Sequence, residues 1–253
     1  MFATINLEKT KKRLKKSVKI EESKIGEVEF LKVTLFKELS PKKIERKLKN
    51  KVDTVILSES LSNNSFNKIK VYDSVDFIKN ISAYTFMKII KLSKIKANDL
   101  SVCVVDKKGD YTDFVKSLVK KASLIKIITQ NDKDYLTLAD EIYDEYGVQL
   151  IFSDDIGNCN LGINLDVSNP IIWFNCVKNY AKITKRCIKI GAGLSSSVPK
   201  GIFECDFAGI LKEYRDFRRL NLITADYFEK DNFLYEINCK NIKNFLDIKW
   251  KCC

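Results

Sequence analysis

LSVCVVDKKGDYTDF, Leu100 to Phe114, joins an uninterrupted apolar run to a helical pattern through an acid, two lysines and a glycine. The run Leu100–Val105 has the length and β-branched content of a buried strand. The alternation then repeats: helix over Asp110–Ala122, strand Leu124–Thr129, helix Lys133–Tyr146, strand Val148–Phe152. Gly147 stands where a helix ends in a left-handed residue. Strands apolar on both faces belong to a parallel sheet covered by helices, so the segment predicts a β-α-β-α-β unit with right-handed crossovers. Leu161–Asp166 and Ile171–Cys176 read as further strands, separated by the turn Val167–Pro170.

Upstream, Val28–Phe36 alternates as a strand, Ser40-Pro41 opens a short helix, and Val52–Ser60 and Asn67–Ser74 read as strands. From Val75 to Ile95, Phe77, Ile78, Ile81, Tyr84, Met87 and Ile90 recur at helical spacing. Downstream, Arg186–Gly193 and Gly201–Phe207 read as strands and Ala208–Leu220 as a helix. The division this suggests is a basic α/β domain over 1–97, ending in a long linking helix, and a second domain over 98–253.

The 253 residues carry a net charge of +12, and 45% are hydrophobic, which is a globular composition. No apolar window is long enough for a membrane span, and the N-terminus lacks the apolar core of a signal peptide, so the chain reads as cytoplasmic. Met1–Lys51 holds 16 Lys/Arg against seven Asp/Glu, densest over Lys9–Lys19. That run would suit a nucleic-acid contact, but no aromatic residues are interleaved for stacking, and a solvated charge block is the favoured reading. Eight cysteines include no C-x-x-C pair, and there is no histidine, which argues against a structural zinc and removes Ser-His-Asp and Cys-His catalysis.

In element order, Leu100–Cys176 resembles the nucleotide-binding domain of Rossmann-type dehydrogenases, with the organisation of shikimate dehydrogenase and glutamyl-tRNA reductase. The resemblance implies a Rossmann-like, mostly parallel sheet with helices on both faces, preceded by a smaller N-terminal α/β domain. It implies NAD(P) as cofactor, yet the G-x-G-x-x-G fingerprint is missing: only Gly109 is available, and Asp106 and Asp110 put carboxylates where diphosphate would lie. Asp110 reads instead as the N-cap of the following helix. At the end of the second strand, Asp132 and the adjacent Lys133 indicate neither cofactor, and Asn131 or Asp132 reads as the cap of the next helix. Acids after the first strand and at Asp154–Asp155 also resemble a response-regulator receiver, without its acidic pair.

A second loop, IGAGLSSSVPKGI over Ile190–Ile202, resembles the phosphate loop of GHMP-type sugar kinases at Gly191, Gly193, Ser195, Ser196 and Ser197. Pro199 works against the helix that such a loop requires. The candidate ligand site is therefore the strand C-terminal edge: Asp106, Gly109, Asp110, Asn131 and Asp154, with Gly191, Gly193, Ser195 and Lys200 from the second loop. Two functions are consistent with this: a degenerate Rossmann-like protein binding a nucleotide or other small ligand, or a non-catalytic interaction or assembly protein that kept the fold and lost the site.

Overall fold

A computed structural model describes residues 1–8, 17–48, 51–175, 177–214 and 223–246. The architecture is mixed α/β, with a five-stranded and an eight-stranded sheet, and no described helix is long and apolar enough to cross a membrane. By contacts the chain divides into two compact units: Met1–Ser74 with Lys189–Asn221, and Val75–Ile188 with Leu222–Cys253. The long helix thus belongs with the second unit, where the sequence suggested a link closing the first. A later segment returns to complete the first unit.

In the first unit, β1 (Phe2–Leu7), β2 (Val18–Ile25), β3 (Val28–Leu35), α1 (Pro41–Leu48), β4 (Thr54–Leu57) and β5 (Lys70–Val71) form a sheet in the order β2-β3-β1-β4-β5. Only the β2–β3 pair is antiparallel. Ala3, Ile5, Leu31, Val33 and Leu35 bury one face together with Ile44 and Leu48 of α1. Phe2 and Phe30 stack at 5.1 Å on the other face and meet Phe207 edge-on. Phe207 lies on α6 (Glu204–Tyr214), which follows the four-residue α5 (Ala192–Ser195). Glu204–Phe207 is therefore helical where the sequence suggested a strand, and a 3₁₀ turn over Lys185–Cys187 stands where Arg186–Gly193 read as one. Residues 9–16 of the basic stretch lie outside the described residues, and Val18 already pairs with Leu35 in β2.

The second unit opens with α2 (Val75–Ser93), followed by β6 (Ser101–Val105), α3 (Thr112–Leu118), β7 (Leu124–Ile128), α4 (Asp132–Tyr146) and β8 (Leu150–Phe152). These elements follow the expected alternation, and Gly147 ends α4 in the left-handed region, φ 65°. β9 (Leu161–Asn164), β10 (Ile171–Phe174), β11 (Asn179–Lys182), β12 (Tyr227–Lys230), β13 (Phe233–Glu236) and α7 (Cys239–Phe245) complete it.

The sheet order is β13-β12-β11-β10-β9-β6-β7-β8. Strands β6 to β9 are mutually parallel, but every pairing from β9–β10 onward is antiparallel. The expected mostly parallel sheet is corrected to a mixed one. The link from Asn164 to Ile171 is too short for the dozen or more residues a parallel crossover needs, so it closes a hairpin.

The expected helices on both faces are also corrected. Phe86 of α2 packs on Phe114 of α3 at 6.1 Å, α3 contacts α4, and α2 contacts α7. The described helices of this unit gather on the face presenting Val102, Val104, Ile125, Ile127, Ile163, Ile172 and Phe174, all fully buried, with Phe245 of α7 5.1 Å from Phe174. On the other face, Leu124, Lys126 and Ile128 remain half-buried. The β8–β9 connection, Ser153–Asn160, forms no helix to cover them.

Candidate functional site

The β6–α3 turn is organised by one buried side chain. Asp106, 1% exposed, accepts N–H hydrogen bonds from Gly109 (3.1 Å) and Asp110 (3.3 Å) on Oδ1 and from Tyr111 (2.8 Å) on Oδ2. Oδ2 also accepts the Tyr135 phenol at 2.8 Å. Successive N–H groups at a helix start form an anion-binding concavity, and here the anion is the protein's own carboxylate. Gly109 makes the geometry possible: its φ of 82° is left-handed, and an added Cβ would stand 2.8 Å from Asn131 Nδ2.

Asp110 is therefore not the cap of α3. It is exposed, Tyr111 holds the position before the helix with no side-chain cap, and Asp106 instead binds the turn that leads into α3. Asn131 occupies the position preceding α4, yet its side chain does not cap that helix. It donates instead to Lys108 O at 2.8 Å and Asp134 Oδ2 at 2.7 Å, tying the first turn to the second.

Sequence reasoning passed over two residues of this assembly. Asp166, just past β9, accepts the Lys107 N–H with both oxygens at 3.0 and 3.1 Å. Its signal was an acid closing the strand that flanks β6 on the side away from β7. Tyr135 shows only as one apolar position of α4, with nothing local to mark its hydroxyl as a partner of Asp106.

The electrostatics are those of a filled anion seat. Burial pushes the Tyr111 phenol well above its usual range, and the charges of Asp106, Asp76, Asp110 and Asp166 push it further. Burial first, then the charge and hydrogen bond of Asp106, does the same to Tyr135. A dinucleotide at this turn would meet three carboxylates, with the N–H groups of Lys107, Gly109, Asp110 and Tyr111 already engaged.

Asp154 lies exposed in the connection after β8. Gly191, Gly193, Ser195 and Lys200 belong to the other compact unit. There Gly191 precedes α5, and the helix stops at Ser195, short of Pro199. The N–H groups of Ser195, Ser196 and Ser197 are hydrogen-bonded to Gly191, Ala192 and Leu194 carbonyls, so the serine run presents no open backbone donors to a phosphate. Beside the β6–α3 turn, a groove of about 500 Å³ runs between α2 and α3, lined by Asn80, Tyr84, Met87, Asp110, Asp113 and Phe114 among others. Among the described residues no group of three or more His, Cys, Asp or Glu side chains is placed to hold a metal ion.

No protein-family model, curated protein or solved structure matches the chain.

Proposed function

We propose that this chain is a non-catalytic, Rossmann-like interaction or assembly protein whose nucleotide seat is filled by its own Asp106 carboxylate. The Rossmann-like part of the reading is supported by the order β8-β7-β6-β9, in which the first strand of the unit lies between its second and its fourth. The reversal of order beside β6 is where ligands of open α/β sheets bind. The loss of the site rests on one observation: the N–H groups of Gly109, Asp110 and Tyr111 are spent on Asp106.

The test is a thermal-shift and calorimetric panel of NAD, NADP, ATP and S-adenosylmethionine against the whole chain, at millimolar concentration. A ligand at ten times its Kd would add about 1.4 kcal/mol, raising Tm by roughly 3–5 °C. The expected result is no shift for any of the four. Saturable binding of any of them, abolished by substitutions at the β6–α3 turn, would overturn the reading.

A second reading is favoured by the groove between α2 and α3. Tyr84, half exposed, Met87 and Phe114 offer apolar surface beside the carboxylates of Asp110 and Asp113. A small ligand there would lie beside the turn and would be cationic, an organic amine rather than a nucleotide. Binding of aryl-alkyl amines that is lost in Asp113→Asn but kept in Asp106→Asn would select this reading over the first.

A further inference from the structure

The first unit carries a charge pattern of its own on α1. Ile44 and Leu48 bury one side of this helix in the sheet core, and the opposite arc consists of Lys42, Lys43, Arg46 and Lys47, all exposed. Residues four apart share a helix face, so Lys42 and Arg46 point to one flank and Lys43 and Lys47 to the other. A groove runs along each flank. The first, about 410 Å³, lies between α1 and the segment leading into β5, with Lys68 facing Lys42 and Arg46. The second, about 480 Å³, lies between α1 and β2 and is lined by Lys47 and Lys51.

Glu45 fixes the shape of the first groove. Its Oε1 accepts the N–H of Asn67 at 2.7 Å and of Lys68 at 2.8 Å, which holds the entry to β5 against α1. That carboxylate is thereby engaged by backbone, and Glu22, in the second groove, is the other acid among the lining residues. Against these two stand five cations, Lys42, Arg46, Lys47, Lys51 and Lys68, none in a salt bridge with a described residue. The apolar lining offers little surface: Val52, Ile69, Leu31 and Leu48 are buried, and only Ile20 is exposed. No aromatic ring lines either groove. An apolar or amphipathic peptide therefore finds no anchoring pocket, and a single nucleic-acid strand finds no ring to stack on.

What a partner meets is a cationic ridge flanked by cations on both sides, complementary to two rows of anions one helix diameter apart. The major groove of B-form DNA is about 12 Å wide and bordered by two phosphate backbones, and an α-helix with its side chains is about 10–12 Å across. The major groove of an A-form RNA duplex is too narrow to admit it. We infer that the first unit binds double-stranded DNA by seating α1 in the major groove, with the phosphate backbones in the two flanking grooves. Lys42, Arg46 and Lys68 neutralise one strand, and Lys47 and Lys51 the other. A mononucleotide reaches one groove only, so this site adds no shift with NAD or ATP, and its DNA binding is independent of the β6–α3 turn.

The test is fluorescence anisotropy of the whole chain with a labelled DNA duplex of about two helical turns, over a salt series from about 50 to 200 mM. Five phosphate contacts should make log Kobs fall against log salt with a slope of about −4.5. The triple variant Lys42→Gln, Arg46→Gln, Lys68→Gln should flatten that slope by about 2.7, and the pair Lys47→Gln, Lys51→Gln by about 1.8. Lys91→Gln, Lys96→Gln and Lys121→Gln together, all exposed in the second unit, should leave it unchanged. In the complex, dimethyl sulfate should methylate guanine N7, in the major groove, more slowly, and adenine N3, in the minor groove, at its free rate. An RNA duplex of the same sequence should bind at least about tenfold more weakly. Equal flattening by the second-unit variant, protection of adenine N3 in place of guanine N7, or RNA bound as tightly as DNA would each overturn the inference. So would poly-glutamate bound more tightly than the duplex, which would make the partner an acidic protein. Every substituted side chain is exposed, so the urea midpoint should stay at its wild-type value. Should the triple variant lose it, the Lys47 and Lys51 pair and the wild-type methylation pattern decide the matter.

Discussion

The phenol of Tyr135, on α4, donates to the carboxylate of Asp106, at the end of β6, across 29 residues of sequence, and both side chains are out of reach of solvent. The bond ties α4 to the turn that leads into α3. Tyr135→Phe removes one donor from a charged acceptor while keeping the ring. Equilibrium urea unfolding should register a loss of about 1.5–3 kcal/mol. A change under about 0.5 kcal/mol would mean that Asp106 finds another donor at no cost.

Alkaline pH should unfold the protein through its phenols. Tyr72, Tyr111 and Tyr135 are all raised in the folded state, by burial first and by neighbouring carboxylates second, and burial with the Asp53 hydrogen bond pushes Tyr214 up to about 12. Below pH 10 these groups are neutral in both states and contribute no pH dependence. Above it the unfolded chain loses their protons first, so stability falls with rising pH, by up to about 1.4 kcal/mol per unit for each such tyrosine. Absorbance at 295 nm should show exposed tyrosines ionising near pH 10 and the remainder only together with loss of ellipticity. Tyr135→Phe should make that fall shallower.

Two left-handed glycines allow strain and collision to be separated. At Gly147 an added Cβ meets nothing within 4 Å, whereas at Gly109 it runs into Asn131. Gly147→Ala should cost about 1 kcal/mol, and Gly109→Ala about 2–3 kcal/mol, because Asn131 must also give up its place between the two turns. Equal losses in urea titrations of the two variants would show that Asn131 moves freely.

The cross-strand partner of Gly162 is Trp173, and a Cβ there would lie 2.8 Å from Cε3 of the indole. Gly162→Ala should therefore displace the ring, cost about 1–3 kcal/mol, and change tryptophan emission, since Trp173 is one of only two tryptophans. An unchanged spectrum would place the indole elsewhere.

Much of the second unit was legible because its buried strands are short apolar runs between helices with a clear period, and because Gly147 marks an end. The mixed character of the sheet was latent in the six residues between Asn164 and Ile171, whose brevity forces a hairpin. β1 was not legible: Thr4 interrupts its apolar pattern, yet it is buried in a strand covered on both faces. β2 was hidden among charges, because an edge strand keeps Lys19, Glu21, Glu22 and Lys24 in water. Glu204–Phe207 is ambiguous by composition, and only its packing on Phe2 and Phe30 makes it helical. At the site, the sequence placed an acid where phosphate would lie. That the acid instead captures three N–H groups depends on the turn made by Gly109, and the distant Tyr135 could not be read from local pattern.

The first unit is sewn from two separated stretches, and this bears on how the chain matures on the ribosome. When β5 has emerged, Phe2 and Phe30 still lack the ring of Phe207, more than 130 residues further along. At ordinary elongation rates the interval is on the order of ten seconds. During it one side of the nascent sheet stays greasy and bare, while the second unit still waits for β12, β13 and α7, which emerge later than Phe207.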